Sequence, residues 1–213
     1  MTMPVSTLVA SHSIDRAAFE ELYAGPAPWD VGKPKGAFVA VADRLTGSIL
    51  DAGCGTGENA LFFAARGHRV VGIDFVEEAI RRARAKAAQQ GLSVEFLVKD
   101  ATALGDWSER FASVIDSGLF HVFSDDDRRC YVRGLSRVLE PGGRLFLMSM
   151  SDEEPGADGP RRVSRQELYD AFADGWEVES IVPSRADVNP EFTDITFSEG
   201  GPKTWFAVIR RRG

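Results

Sequence analysis

The chain has 213 residues, of which 44% are hydrophobic and 27% charged, as in a globular domain that can bury a sizeable core. Its 32 acidic residues outnumber 25 basic ones, and the net charge of −7 disfavours nucleic acid or an anionic membrane as a main partner. No apolar run approaches the roughly 20 residues of a membrane helix, and the N-terminus lacks a signal-peptide pattern. We expect a single domain over residues 1–213 in the cytoplasm, with the thiols of Cys54 and Cys130 reduced.

Residues 1–46 precede the first predicted strand and form an N-terminal cap or lid segment. They open with a helix that should end at Gly25-Pro26, because a glycine–proline pair stops helices. The stretch 23–34 holds three prolines and two glycines and cannot be regular. Trp29 within it either fills the core or belongs to a lid. The helix is predicted from apolar residues at helical spacing behind a cap at Ser13: Ile14, Ala18, Phe19 and Leu22.

A strand (48–52), a glycine turn and a helix (57–66) come next. Glycine lets the backbone approach a bound molecule where a Cβ would collide, so this unit predicts a ligand cradle. A dinucleotide fingerprint would place its third glycine at position 58, where the chain has Glu58. Together with Asp51, this carboxylate would repel a pyrophosphate and suits a ligand that carries an amino group and a sulfonium.

Strands and helices then alternate, which predicts a doubly wound α/β fold with a mostly parallel sheet and an antiparallel C-terminal edge hairpin. Asp74 ends the second strand about twenty residues beyond the glycines, where a carboxylate can accept hydrogen bonds from both ribose hydroxyls. Asp125, Asp126 and Asp127 follow Ser124 and are interpreted as complementing a helix dipole rather than as metal ligands; no metal is predicted. The other predicted elements are strand 69–73, helix 77–90 ended by Gly91, strand 93–98, a loop with Asp100, strand 111–116, a helix to about 139, a turn at 141–143, strand 144–150, a mobile segment 151–160, a capping box at Ser164 and Glu167, and strands 176–182 and 204–210.

Five segments stand out in order along the chain: ILDAGCGTGENA (49–60), VVGID (70–74), FLVKDAT (96–102), FASVIDSGLFH (111–121) and LEPGGRLFL (139–147). In order and spacing they resemble the class I S-adenosylmethionine-dependent methyltransferases. The match covers roughly residues 47–150, the cofactor-binding core, and leaves 151–213 as a C-terminal part with a substrate-side loop and the edge hairpin. It implies seven strands, the last inserted beside the fifth. The Trp-Asp-x-Gly-Lys-Pro stretch at 29–34 is similar to that of the thiopurine, thiol and heterocyclic-toxin methyltransferases, in which the segment closes over cofactor and substrate.

The resemblance implies S-adenosylmethionine as cofactor and assigns a role to each site residue. Cys54 is interpreted as a small residue packed under the ligand rather than as a nucleophile, and Asp116 either begins the active-site wall or caps its strand. The implied cofactor contacts are Asp51, Gly53, Cys54 and Gly55 for the methionine part, Asp74 for the ribose, Phe75, Asp100 and Ala101 for the adenine, and Trp29 and Asp116 beside them. The substrate wall consists of Trp29, Phe120, His121 and Met150, whereas Phe123 and Met148 are expected in the core.

The favoured function is methyl transfer to a small nucleophile, with a thiol or another soft acceptor first and a heterocyclic or phenolic nitrogen or oxygen second. A non-catalytic S-adenosylmethionine-binding protein and a Rossmann dehydrogenase are the alternatives, and Glu58 opposes the dehydrogenase. His121 is the histidine positioned as a candidate base, which a phenol would need more than a thiol, but it could instead order its loop. We expect a small-molecule substrate and leave open whether the protein is a monomer or a homodimer.

Overall fold

The computed structural model describes residues 16–25, 27–156 and 158–213. The predicted cap at Ser13, the helix position of Ile14, and Pro26 lie outside the described residues. The helices are α1 (Arg16–Ala24), α2 (Gly36–Ala40), α3 (Glu58–Ala65), α4 (Glu77–Gln90), α5 (Asp125–Val138) and α6 (Arg165–Ala171). Short 3₁₀ helices span Ala42–Arg44, Ala101–Asp106 and Phe120–Val122. The strands are β1 (Ile49–Ala52), β2 (Val70–Asp74), β3 (Glu95–Val98), β4 (Phe111–Ser117), β5 (Leu139–Met150), β6 (Trp176–Arg185) and β7 (Lys203–Arg211).

The strands form one seven-stranded sheet in the order β3-β2-β1-β4-β5-β7-β6. The five strands from β3 to β5 pair in parallel, and β7 lies antiparallel between β5 and β6. The predicted doubly wound, mostly parallel sheet with an antiparallel C-terminal hairpin is confirmed, and so is the insertion of the last strand beside the fifth. Chain order reverses between β1 and β4, so the carboxyl ends of these strands border the crevice where open α/β sheets bind ligands.

Both faces of the sheet are buried, which is why the inner strands read as continuous apolar runs. On one face, here called the α5 face, Leu50 and Leu147 pack in a cluster with Leu135 of α5. On the opposite face, here called the α3 face, Ile49 and Phe146 pack in a cluster with Phe63 of α3 and Phe38 of α2. Each such fully buried side chain contributes roughly 1.5–3 kcal/mol.

Local sequence signals located several helix ends correctly. Helix α4 ends at Gly91, whose φ of 64° is the left-handed conformation that glycine adopts readily. Ser124 caps α5 by accepting a hydrogen bond from the Asp127 amide. Ser164 and Glu167 form the predicted capping box of α6.

Three expectations are corrected. Strand β5 begins at Leu139 rather than at 144, because Leu139 pairs with Phe111 before a register shift that absorbs the Pro-Gly-Gly turn. Segment 151–160 was expected to be mobile, but its described residues are held by the Arg162 guanidinium, which donates to five of their backbone carbonyls. The loop expected to carry Asp100 continues as a 3₁₀ helix that this residue caps. Helix α2 has no counterpart in the prediction.

Candidate active site

The glycine turn between β1 and α3 adopts a conformation that only glycine tolerates well. Gly53 and Gly55 have φ values of 69° and 55°, in the left-handed region. A Cβ at Gly55 would lie 2.9 Å from the hydroxyl oxygen of Tyr23, and one at Gly57 would lie 2.8 Å from Cζ of Phe96. The turn is therefore enclosed by α1 on one side and by β3 on another.

Asp74, the last residue of β2, ties this turn to its neighbours. Its Oδ2 accepts a hydrogen bond from the Gly55 amide at 3.0 Å, and its Oδ1 accepts one from the Val76 amide at 2.9 Å. Burial raises the pKa of Asp74, and these amides oppose the rise. Each carboxylate oxygen has further acceptor capacity, so the side chain can still receive hydroxyl donors.

A small cleft opens beside Asp74 and brings five of the predicted cofactor residues together. The sequence reasoning missed Lys99 and Leu119, and it expected Phe123 in the core, although Phe123 also borders this cleft. No local pattern marks these three positions, because their placement depends on how the loops after β3 and β4 fold back. The cleft is lined by Gly53, Asp74, Phe75, Lys99, Asp100, Ala101, Leu119 and Phe123.

Asp51 is the most unusual carboxylate of the site. It is 1% exposed, and neither oxygen makes a well-formed hydrogen bond within the described residues. Burial raises the pKa of Asp51 to about 8, the charges of Asp116 and Asp74 add to this rise, and a weak interaction with the Ala60 backbone opposes it. A buried carboxylate without donors is stabilised by a cationic ligand, so Asp51 fits a bound ammonium group.

Asp116 makes the contacts of a strand-end cap. Its Oδ1 accepts hydrogen bonds from the amides of Leu119 at 2.8 Å and Phe120 at 3.3 Å. Its Oδ2 has no well-formed partner among the described residues, although the Tyr131 hydroxyl lies beside it. Burial raises the pKa of Asp116 to about 7.

His121 orders its loop in the way proposed as the alternative to catalysis. Its Nδ1 lies 2.9 Å from the Met150 amide and accepts its hydrogen bond, which assigns the ring proton to Nε2. Burial, together with the charges of Arg128 and Arg162, lowers the pKa of His121 to about 3. A ring of this kind is a weak base, so the geometry favours loop ordering over proton abstraction.

Of the other predicted side chains, those of Phe120, Met150 and Cys54 lie in packed surroundings, whereas that of Asp100 does not. Phe120 is fully buried, and the Arg128 guanidinium carbon lies 4.5 Å from its ring centroid. Met150 is 4% exposed. Burial raises the pKa of the Cys54 thiol well above its usual value, which supports its interpretation as a packing residue. Asp100 is exposed and accepts hydrogen bonds from the Thr102 amide and hydroxyl.

Trp29 packs against Tyr23, whose hydroxyl lies over Gly55 of the glycine turn. Its indole N–H donates to the Tyr23 hydroxyl at 3.0 Å, and the two rings lie 5.6 Å apart edge to face. Tyr23 forms a small apolar cluster with Val76 and Ala79 at the start of α4, against which Trp29 packs. In the same segment, Asp30 accepts a hydrogen bond from the Thr56 hydroxyl of the turn at 3.0 Å.

The connection between β6 and β7 is hydrogen-bonded to this N-terminal segment. The sequence did not predict this contact. The Asn189 amide donates to the Pro28 carbonyl at 2.8 Å. The Lys35 ammonium donates to the carbonyls of Trp29 at 2.8 Å and Asp187 at 3.2 Å, and burial lowers the pKa of Lys35 to about 8. Segments 27–35 and 185–189 therefore form one cover, here called the two-segment cover.

Other ligand classes find less support in the described part of the chain. Within residues 16–25, 27–156 and 158–213, no group of three or more His, Cys, Asp or Glu side chains is arranged to hold a metal ion. Asp125 and Asp126 of the acidic trio pair with Arg161 and Arg129. No described helix is long and apolar enough to cross a membrane. A second cavity, bordered by Arg44 and Arg144, lies at the amino ends of the strands, away from these residues.

Comparison with known proteins gives concordant matches. Residues 49–143 match a family model described as "Methyltransferase domain". The chain is 35% identical over 196 residues to 2-heptyl-1-hydroxyquinolin-4(1H)-one methyltransferase of Mycobacteroides abscessus, which covers 90% of this chain and 84% of that protein. It is 29% identical over 175 residues to probable thiol methyltransferase 2 of Arabidopsis thaliana, and this match covers 78% of this chain and 76% of that protein.

Two solved structures are also similar to this chain over most of its length. One, reported as "Conversion of a Disulfide Bond into a Thioacetal Group during Echinomycin Biosynthesis", has a TM-score of 0.82 and 37% identity over 93% of both chains. The 1,6-didemethyltoxoflavin-N1-methyltransferase of Burkholderia thailandensis, solved with S-adenosylhomocysteine, has a TM-score of 0.72 at 22% identity over 96% of this chain and 94% of that one, a likeness of fold.

Proposed function

Since the chain belongs to the class I S-adenosylmethionine-dependent methyltransferases, we propose that it methylates a small molecule, with a thiol or another soft atom as the favoured acceptor. The relatives whose names specify a thiol or the conversion of a disulfide support sulfur. The relative named for a hydroxyquinolone supports the second candidate, a heterocyclic or phenolic nitrogen or oxygen.

The residues of the site fit S-adenosylmethionine. When bound, this cofactor supplies an electrophilic methyl group on a sulfonium. Asp51, which lacks well-formed hydrogen bonds among the described residues, would hold its ammonium group, and Asp74 would accept hydrogen bonds from the ribose hydroxyls. The turn at Gly53 and Gly55 would admit the methionine part where a Cβ would collide, and the cleft beside Phe75 would hold the adenine.

The observation that carries the acceptor assignment is the state of His121. With Nδ1 bonded to the Met150 amide and a pKa lowered to about 3, its ring is poorly suited to take a proton from an acceptor. A thiol with a pKa of about 8.5 supplies some thiolate at neutral pH unaided, whereas a phenol of pKa about 10 supplies much less. Without a base, the chain's own residues would act by aligning the acceptor and by excluding water. Trp29 in the two-segment cover would help to exclude water.

The test is a direct comparison of acceptors. Purified protein with S-adenosylmethionine is offered thiophenol, phenol and 2-heptyl-1-hydroxyquinolin-4(1H)-one, and formation of S-adenosylhomocysteine and of each methylated product is followed. We expect the highest kcat/KM with thiophenol, and a reaction without acceptor gives the background. Methylation of the hydroxyquinolone alone would replace sulfur by the second candidate.

A further inference from the structure

The connection between β6 and β7 is held at residues 187–189 by the N-terminal segment. Asp187 accepts hydrogen bonds from two lysines of that segment, one through its carboxylate and one through its carbonyl. Asn189 donates its backbone amide to the Pro28 carbonyl at 2.8 Å and its side-chain amide to the Ala27 carbonyl at 3.5 Å. The other hydrogen bonds of Asn189 among the described residues stay within the connection. The placement of residues 187–189 therefore depends on the N-terminal segment.

Lys35 joins both parts of the two-segment cover to the helix that follows the glycine turn. Its ammonium donates to the carbonyls of Trp29 at 2.8 Å and Asp187 at 3.2 Å. Its backbone amide donates to the side chain of Asn59 at 2.9 Å, and Asn59 lies in the first turn of α3. One residue thus bonds three segments that are far apart in the sequence.

The Lys35 ammonium needs both carbonyls at once. Lys35 is 9% exposed, and within the described part of the chain its ammonium has no ion-pair partner; the Asp187 carboxylate is paired with Lys33 instead. Burial lowers the pKa of Lys35 to about 8, so the carbonyls replace its lost hydration incompletely. A buried ammonium that lost one of two acceptors would be left with an unmade hydrogen bond, which is unfavourable. We therefore expect the two segments to be held, or released to water, together.

The N-terminal segment is in turn bonded to the glycine turn. The Thr56 hydroxyl of the turn donates to the Asp30 carboxylate at 3.0 Å. The Trp29 indole donates to the Tyr23 hydroxyl, which lies over Gly55. A ligand that fills the turn would therefore act on the N-terminal segment, and through Lys35 on the connection between β6 and β7.

We propose that Lys35 is a positioning residue that couples cofactor binding to the placement of the β6–β7 connection. The cofactor stabilises segment 27–35 over the glycine turn, and the Lys35 ammonium then fixes residues 187–189 against that segment. Because such coupling is reciprocal, the ordered connection also tightens the binding of the cofactor. This inference rests on the proposed function for its cofactor, S-adenosylmethionine, and makes no use of the acceptor.

Hydrogen exchange of the Asn189 amide tests the coupling, because its acceptor, the Pro28 carbonyl, belongs to the other segment. We expect S-adenosylhomocysteine to slow this exchange about tenfold in wild type. Lys35→Met should lose the slowing and bind the ligand about tenfold more weakly, the equivalent of one hydrogen bond. No slowing in wild type, or equal slowing in Lys35→Met, would overturn the inference.

Lys33→Met is the matched control. Lys33 joins the same two segments, but through an ion pair with the Asp187 carboxylate in which the side chains are 60% and 41% exposed. Exposed pairs of this kind contribute little, so the control should show the exchange and the affinity of wild type. A loss in Lys33→Met as large as in Lys35→Met would assign the effect to surface charge and reject the role of the buried ammonium.

Two further measurements separate this inference from a role in the fold and from the proposed acceptor. Lys35→Met and Lys35→Gln keep the backbone bond to Asn59 and remove a buried charge, so their urea midpoints without ligand should not fall. A marked fall in both would assign Lys35 to the fold and reject the inference; if only one falls, the other serves in the exchange test. A wild type that binds S-adenosylhomocysteine but methylates no thiol would fail the proposed acceptor, and the exchange result would still decide on Lys35.

Discussion

Asp74 and Asp51 are buried at the ends of neighbouring strands, yet their surroundings differ. Asp74 accepts one backbone N–H on each oxygen, so it is held rigidly and presents its remaining lone pairs to neutral donors. Asp51 lacks well-formed hydrogen bonds among the described residues and is suited to a cation. The sequence pattern identified both acids, but it could not distinguish them, because the difference arises from amides that the folded turn brings to one of them.

For Asp74 we expect Asp74→Asn to weaken the binding of S-adenosylhomocysteine by about 2–4 kcal/mol, because a charge-assisted pair to the ribose is lost. The free energy of unfolding should fall too, since the amides of Gly55 and Val76 lose a charged acceptor. Calorimetric titration and urea unfolding measure the two effects, with the exposed Asp174→Asn as control. Unchanged affinity would remove Asp74 from the site.

Asp51 should make the ligand-free protein sensitive to pH. Its pKa is raised to about 8 by burial, from an ordinary value near 4, so between these values the folded state keeps a proton that the unfolded state has released. The proton on Asp51 therefore contributes its full stabilisation of the folded state below about pH 4, and this contribution is lost as the pH rises to about 8. Asp51→Asn should gain stability over wild type by up to about 1.4 kcal/mol per pH unit in this window. Urea unfolding from pH 5 to 8 measures it, and a difference that does not vary with pH would contradict the assignment.

For His121 we expect a loss of turnover that is equal for thiol and hydroxyl acceptors and independent of pH from 6 to 9. His121→Ala leaves the Met150 amide without its acceptor, which should lower stability by about 1–3 kcal/mol and disorder the loop. His121→Asn supplies an amide oxygen as acceptor and should recover most of both losses. A pH-dependent loss confined to hydroxyl acceptors would instead restore His121 as a base.

At the scale of elements, short-range signals predicted most helices and strands, and contacts distant in sequence explain the misses. Gly91, Ser124 and Ser164 act on their own helix ends, so their effect can be read from a few neighbouring residues. Helix α2 has only five residues, and its position depends on Phe38 packing against β7. The meeting of 27–35 with 185–189 likewise leaves no local pattern, because it joins segments about 150 residues apart.

Deleting residues 1–32 tests the N-terminal segment. We expect a folded protein that binds S-adenosylhomocysteine less tightly and transfers methyl slowly, because water reaches the glycine turn once Tyr23 and Trp29 are gone. Helix α2 and its Phe38 remain in this variant, so the α3 face stays covered. If the truncated chain fails to fold, the Trp29→Ala variant distinguishes a lid residue from a core residue. A point variant that is also unfolded would assign Trp29 to the core.

At the scale of the whole molecule, the sheet joins the cofactor-binding core to the C-terminal part. Strands β5 and β7 pair over seven positions, from Arg144 with Arg210 to Met150 with Thr204. The α5-face cluster contains residues of both parts, including Leu50, Leu168 and Trp205. Chain length and the lack of a linker-like or repeated stretch in the sequence suggested one domain. The shared sheet and core supply the physical reason to propose it.

We therefore predict a single cooperative unfolding transition. Trp29 and Trp107, which lie outside the C-terminal part, are replaced by Phe, so that tryptophan fluorescence reports on Trp176 and Trp205. Far-UV circular dichroism reports on the whole chain, and both signals should give the same urea midpoint. S-adenosylhomocysteine at about 100 times its Kd should raise the free energy of unfolding by about 2.7 kcal/mol in both signals. As control, a chain ending at residue 150 should not fold, since the loss of β7 uncovers the edge and both faces of β5. Two separate transitions, with only one shifted by the ligand, would divide the chain into independent units near residue 150.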